Sequence, residues 1–182
     1  MLDLLRQIDF GVIRSLNNLV WGSDFLEFFI LLFARYGIAI FILLALRVVI
    51  MKDFKSISTA ALTISIAGLV NSLIYLVWSR PRPYVAHAAE IHQLGLLVQP
   101  ESFPSNHAFI TFGVATAIYI TGHQRAGVLL YLLAFLITFS RVAAGVHYPS
   151  DIVGGAILGI VVAPLAKQTY LLIQKLQTHR TH

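Results

Sequence analysis

From Asp24 to Met51 the chain is apolar almost without pause, interrupted by Glu27, Arg35 and Arg47, and four further apolar runs follow. A helix needs about 20 such residues to cross a bilayer at 1.5 Å per residue. Inside hydrocarbon every backbone N–H and C=O must find a partner within its own segment, so the runs are read as helices. The pattern restricts the chain to an all-α, polytopic membrane helix bundle of five to six transmembrane helices. Spans are expected at 24–51, 56–78, 105–121, 127–143 and 151–168 of a single domain, residues 1–182. Arg35-Tyr36-Gly37 marks a place for the first span to kink, and Gly155 and Gly159 have the small-xxx-small spacing of close helix contacts. Hydrophobic residues make up 58% and charged residues 12%, against about a quarter charged in soluble domains.

Residues 1–20 read as an amphipathic helix. Leu4, Leu5, Ile8, Val12, Ile13 and Leu16 recur at three- and four-residue spacings, with charges between them. The stretch is too polar for an ordinary span. An interfacial position, packing against the other helices, and insertion as a sixth span all remain open. No cleavable signal peptide is expected, since Asp3, Arg6, Asp9 and Arg14 interrupt the first twenty residues. The net charge is +5, but its Lys and Arg are scattered rather than gathered in the solvated stripe that nucleic acid requires. They report topology instead. Lys52, Lys55, Arg125, Lys167, Lys175 and Arg180 fall on one side of five spans, which the positive-inside tendency makes cytoplasmic. A multi-pass protein of the inner (cytoplasmic) membrane is expected, with the 79–104 loop and the 144–150 corner facing outward. There are no cysteines, so thiolate chemistry and disulfides are excluded.

Three polar stretches share that outer face. In Ser79-Arg80-Pro81-Arg82-Pro83, alternating prolines stiffen a cationic loop, and arginine's planar fork suits phosphate oxygens. Two arginines anchoring a helix end at headgroup level would look the same. In Phe103-Pro104-Ser105-Asn106-His107, Ser105 occupies an N-cap position. The free N–H groups of Asn106 and His107, with the helix dipole, make an anion site where His107 can hold a proton near a leaving group. As a plain capping sequence the stretch needs no ligand. The third is Ser140-Arg141-Val142-Ala143-Ala144-Gly145-Val146-His147-Tyr148-Pro149-Ser150-Asp151. Here Asp151 can orient His147 through Nδ1, leaving Nε2 as a nucleophile. A helix cap beside a surface histidine explains Asp151 but leaves Arg141 unexplained next to hydrocarbon, where ionisable residues are expensive.

Ser-Arg-x5-His-x3-Asp, preceded by Arg-Pro and Pro-Ser-x-His in that order, resembles the type 2 phosphatidic acid phosphatase superfamily of metal-independent membrane lipid phosphatases. The motifs cover roughly residues 71–155. The short chain and its Trp-Ser-Arg-Pro-Arg-Pro-Tyr loop are similar to the bacterial undecaprenyl pyrophosphate phosphatases of the bacitracin-resistance type. The resemblance implies an outer-face active site acting on a polyprenyl or other lipid phosphate, with no cofactor and no metal. It implies that His147 attacks phosphorus and forms a phosphohistidine, Asp151 orients it, and His107 protonates the leaving oxygen. It assigns the phosphoryl oxygens to Arg82, Ser105, the Asn106 backbone and Arg141, with Arg80 as a further cation. Two positions depart from the family pattern: Tyr75 stands where a Lys is usual, and Asn106 where a Gly is usual.

The remaining polar residues have blander expectations. His87, His92 and Glu90 are read as a solvated loop, Glu101 as a neighbour of the Ser105 cap, and His123, His179 and His182 as remote. No carboxylate cluster suited to Mg²⁺ or Zn²⁺ is evident. The sequence alone does not separate undecaprenyl diphosphate from phosphatidylglycerol phosphate, phosphatidic acid or lipid A phosphates, or hydrolysis from phosphotransfer. A small anion transporter is the non-enzymatic alternative. It would place ionisable residues along several spans rather than at one surface.

Overall fold

A computed structural model describes residues 2–50, 54–96 and 98–180, so Lys52 of the expected cytoplasmic turn lies outside the described residues. The elements are α1 (Leu2–Val20), α2 (Asp24–Leu31), a π-helical turn (Leu32–Tyr36), α3 (Gly37–Ile50), α4 (Phe54–Val77), the single turn α5 (Pro83–Ala86), α6 (Asn106–Ile120), α7 (Gln124–Ala143) and α8 (Pro149–Arg180). Among the described residues four helical stretches are long and apolar enough to cross a membrane: Asp24–Arg47, Phe54–Val77, Gln124–Ala143 and Pro149–His179. The first runs from α2 through the π turn into α3, and the widened turn sits at the kink that Arg35-Tyr36-Gly37 suggested.

The segment read from sequence as a span at 105–121 forms the shorter apolar helix α6. α6 has 15 residues, about 22 Å at 1.5 Å each, short of the ~30 Å hydrocarbon core. Nearly all of it between Ala108 and Ile118 is buried. It is the central helix, enclosed by α4, α7 and α8, so protein rather than lipid satisfies its apolar surface. The last span also outruns its expected end at 168. Nothing after Pro164 breaks α8, and Lys167, Gln174, Lys175 and Gln177 all favour helix. Lys167 Nζ donates to the Ile120 carbonyl at 2.8 Å, placing a cation on the negative end of α6.

The α6–α8 contact fixes the geometry that matters for the site. A Cβ on Gly159 would lie 2.4 Å from the Phe109 carbonyl oxygen, and one on Gly155 2.6 Å from that of Ser105. Both glycines therefore permit a backbone approach that no side chain would allow. The Ser105 N–H donates to the Asp151 carbonyl at 3.2 Å, so the starts of the two helices form one unit.

α1 lies across the end of the bundle where these helices start. Asp9 and Asn17, two turns apart, both reach residues at that end: Asp9 bonds Arg80 and Ser150, and Asn17 bonds His92 and Ala143. Its buried stripe is Asp9, Ile13, Asn17 and Val20, whereas Leu4, Leu5, Ile8, Val12 and Leu19 are exposed. Ile13 and Val20 thus pack inward beside Asp9 and Asn17, while the outer face mixes those apolar residues with Arg6, Gln7 and Arg14.

Candidate active site

Four chain segments converge beside α1: the loop after α4 with Arg80 and Arg82, the start of α6 with Ser105, Asn106 and His107, the end of α7 with Arg141, and the 144–148 corner leading into α8 with His147 and Asp151. Gly145 makes the corner possible. Its φ is +78°, and a Cβ there would meet the His92 carbonyl oxygen at 2.7 Å and Asn17 Nδ2 at 3.2 Å, so glycine serves both the left-handed turn and the close loop.

A cavity of about 490 Å³ opens among these segments, lined by Arg35, Arg82, Arg141, His107, His147 and neutral residues including Tyr75 and Asn106. No Asp or Glu among the described residues lines it. Arg82 and Arg141 are 4% and 5% exposed. Arg82 donates to the Gln99 carbonyl at 2.5 Å and the Val146 carbonyl at 2.7 Å. Arg141 Nη1 donates to the Ala34 carbonyl at 3.1 Å, and its Nε has no partner. All these acceptors are neutral. A buried cation is costly unless an opposite charge joins it, so the cavity is preorganised for an anion.

His147 faces this anion site. Arg82 Nη1 lies 3.1 Å from His147 Nε2. A guanidinium can only donate, so Nε2 presents its lone pair and the proton of the neutral ring is on Nδ1. Nδ1 lies 3.5 Å from Asp151 Oδ2 and makes no shorter bond. That contact is longer than an ordinary hydrogen bond, as catalytic contacts often are before substrate tightens them. Asp151 is itself held on all sides: Oδ1 accepts from Arg80 Nη1 at 2.7 Å, and Oδ2 from the Tyr148 N–H at 2.8 Å and the Ser102 hydroxyl.

Burial pulls the His147 imidazole down to about 4, with Asp151 opposing and Arg82 adding to the shift. In the unfolded chain the ring titrates near ~6.5. Between those values the unfolded state binds more protons, so folding stability is full above about pH 6.5 and falls as pH drops toward 4. The thermal midpoint of the wild type should therefore fall relative to that of His147→Phe as detergent-solubilised samples are taken from pH 7.5 to 4.5. A constant difference between the two would show that His147 does not titrate this way.

The structure separates Arg80 from Arg82. Arg80 lies outside the cavity, bonded to Asp9 (2.8 Å), Asp151 (2.7 Å) and Ser150 (2.7 Å), with its guanidinium carbon 3.9 Å from the Tyr148 ring centroid. It holds Asp151 from behind. Ser105 is buried and accepts from the Ala108 N–H at 3.4 Å as an N-cap. The two departures from the family pattern are neighbours. Tyr75 donates to the Pro104 carbonyl at 3.1 Å and accepts from Asn106 Nδ2 at 3.4 Å, while Asn71 donates to the Asn106 side-chain oxygen. A neutral hydrogen-bonded wall thus stands where a lysine is usual. Glu101 pairs its backbone with Pro81 and does not line the cavity.

His87 and His92 are only partly exposed. Half-buried, they pack on α1, His87 against Phe10 and His92 stacked on Trp21, each with ring centroids 4.2 Å apart. Sequence reasoning missed Asp9, Asn17, Ser102 and the cavity-lining Arg35. A polar i, i+8 pair bracketing Ile13 was the available signal for Asp9 and Asn17.

The PAP2 superfamily model matches residues 56–174. The undecaprenyl-diphosphatase BcrC of Bacillus subtilis is 29% identical over 159 residues, covering 85% of this chain and 80% of the relative. The lipid A 4'-phosphatase of Bacteroides thetaiotaomicron is 28% identical over 172 residues, covering 87% and 75%. The crystal structure of Aquifex aeolicus LpxE superposes with a TM-score of 0.73 at 26% identity, covering 87% of this chain and 93% of that one.

Proposed function

The chain belongs to the PAP2 superfamily of membrane lipid phosphatases, and from that premise we propose that it converts undecaprenyl diphosphate to the monophosphate through a phosphohistidine on His147. The observation that carries this reading is the pair of buried arginines, without a carboxylate between them, around a histidine that lines the same space with its Nε2 against Arg82. Similarity to an undecaprenyl-diphosphatase over most of both chains supports the choice of substrate.

In this reading Nε2 of His147 attacks the terminal phosphorus as the bridging P–O bond breaks. The electron pair leaves with the lipid monophosphate oxygen, and His107, protonated once the bound substrate's negative charge offsets the neighbouring arginines, supplies its proton. Asp151 balances the charge that the ring acquires. Arg82, Arg141 and the N–H groups at the start of α6 hold the phosphoryl oxygens, where charge shifts most in the transition state. His107 then takes a proton from water, which attacks phosphorus and displaces His147 as inorganic phosphate leaves. Among the described residues no group of three or more His, Asp or Glu gathers to hold a metal ion, and the proposed chemistry requires none. The protein acts as one domain in the inner membrane, its site facing outward at the end where α1 lies.

The lipid A phosphatase relative favours a second reading, a lipid monophosphate as substrate. Phosphate release by the purified protein in detergent with EDTA decides between them. The substrates are undecaprenyl diphosphate, phosphatidic acid, phosphatidylglycerol phosphate and a lipid A phosphate. The expected result is highest kcat/KM for the diphosphate, undiminished by EDTA. Preference for a monophosphate lipid would overturn the substrate. Anion flux into liposomes without hydrolysis would make the protein a transporter instead.

A further inference from the structure

We infer that Arg35 builds a second phosphate subsite at the cavity mouth, which takes the lipid-linked phosphate of a diphosphate substrate while Arg82 and Arg141 hold the phosphate under attack. This rests on the diphosphatase reading above and names what selects a diphosphate over a monophosphate.

Three observations carry it. Arg35 lines the same cavity as Arg82, Arg141 and His147, yet it is exposed where the other two arginines are buried. The cavity therefore has a cationic floor and a cationic mouth. Secondly, Arg35 belongs to a helix long and apolar enough to cross a membrane, where a charge is expensive and calls for a partner. Arg35 lies in a π-helical turn, Leu32–Tyr36, a distortion that recurs at functional sites. Thirdly, the turn is fastened to the floor. Arg141 Nη1 donates to the carbonyl of Ala34, the adjacent residue. On the other side Gly37 packs so closely that a Cβ there would lie 2.6 Å from Ile137 Cγ1 of α7. The backbone that carries Arg35 is thus tied to Arg141 on one side and packed on α7 on the other.

The chemistry divides accordingly. When the P–O bond to the bridging oxygen breaks, its electron pair goes to the departing lipid monophosphate. A guanidinium on that phosphate stabilises the growing charge and binds it in the ground state. A lipid monophosphate puts its single phosphate on the floor and an alcohol oxygen at the mouth, so Arg35 gains little from it. Substrate selection follows from one residue.

The test uses farnesyl diphosphate and farnesyl monophosphate, which share a tail, with the purified full-length wild type, Arg35→Gln and Arg35→Lys. Arg35→Gln should lower kcat/KM for the diphosphate at least about tenfold more than for the monophosphate, and Arg35→Lys should recover part of the loss. The same variant should bind methylenediphosphonate, measured as a competitive inhibitor, with a selective loss relative to methylphosphonate. Both readouts are ratios within one protein, so a smaller folded fraction cancels. Equal losses on both substrates and both inhibitors, or none, with the wild type active on the diphosphate, would overturn the subsite and leave the diphosphatase reading standing. A wild type inactive on the diphosphate would overturn both.

Discussion

Replacing His147 with alanine should lower kcat/KM for the lipid substrate by at least about 10⁴-fold, the scale seen when a nucleophile is deleted from a unit that works together. Nothing else at the cavity can replace it. His107 shares the cavity, but Asp151 is directed at His147 and is held there by Arg80, Ser102 and the Tyr148 N–H. The fold should survive, because the corner is fixed by Gly145, by the Arg82–Val146 carbonyl bond and by the α6–α8 contact. Phosphate release and circular dichroism on the same sample check both halves. Full activity in this variant would remove the proposed mechanism.

The second large effect is at Arg141, where activity and stability should part. Arg141→Met should reduce kcat by about 10²–10³-fold, the loss expected for one preorganised charge stabiliser, while the thermal midpoint without ligand holds or rises. A buried cation facing neutral partners contributes little to the unliganded fold, and an apolar side chain of similar length is commonly neutral or stabilising. The one polar group it abandons is the Ala34 carbonyl. Inorganic phosphate should raise the midpoint of the wild type by mass action and raise that of the variant much less. A variant that unfolds at lower temperature and keeps the phosphate-dependent rise would assign Arg141 to structure.

The parts of this site legible in the sequence are those whose partners are close in the chain or fixed at span ends. His147 and Asp151 are four residues apart, and Arg141 closes a helix whose successor starts within a few residues. The membrane-bundle character follows from hydropathy alone. Hydropathy does not reveal what an apolar surface faces, however. α6 packs its apolar surface against α4, α7 and α8, whereas α1 leaves Leu4, Leu5, Ile8, Val12 and Leu19 exposed while burying Ile13 and Val20. Nor does local sequence show which of two alternating arginines enters the cavity. Residues two apart in a regular strand line the same face, but Arg82 has polyproline-II backbone, φ −68° and ψ 154°, which turns a third of a circle per residue and does not keep that register. Arg82 reaches His147 while Arg80 reaches Asp9 and Asp151. The clamp from α1 was hidden by distance: Asp9 and Ser150 are 141 positions apart, and Asn17 and Ala143 are 126.

The central claim is that a phosphoryl group passes through Nε2 of His147. Its most direct measurement is rapid quenching in alkali of wild type and His107→Gln during turnover of undecaprenyl diphosphate labelled at the terminal phosphate, followed by peptide mapping. Acid-labile, alkali-stable phosphate on His147, accumulating to a higher level in the His107 variant, is the predicted result. Continued phosphate release with no label on His147, or label on another residue, would contradict it.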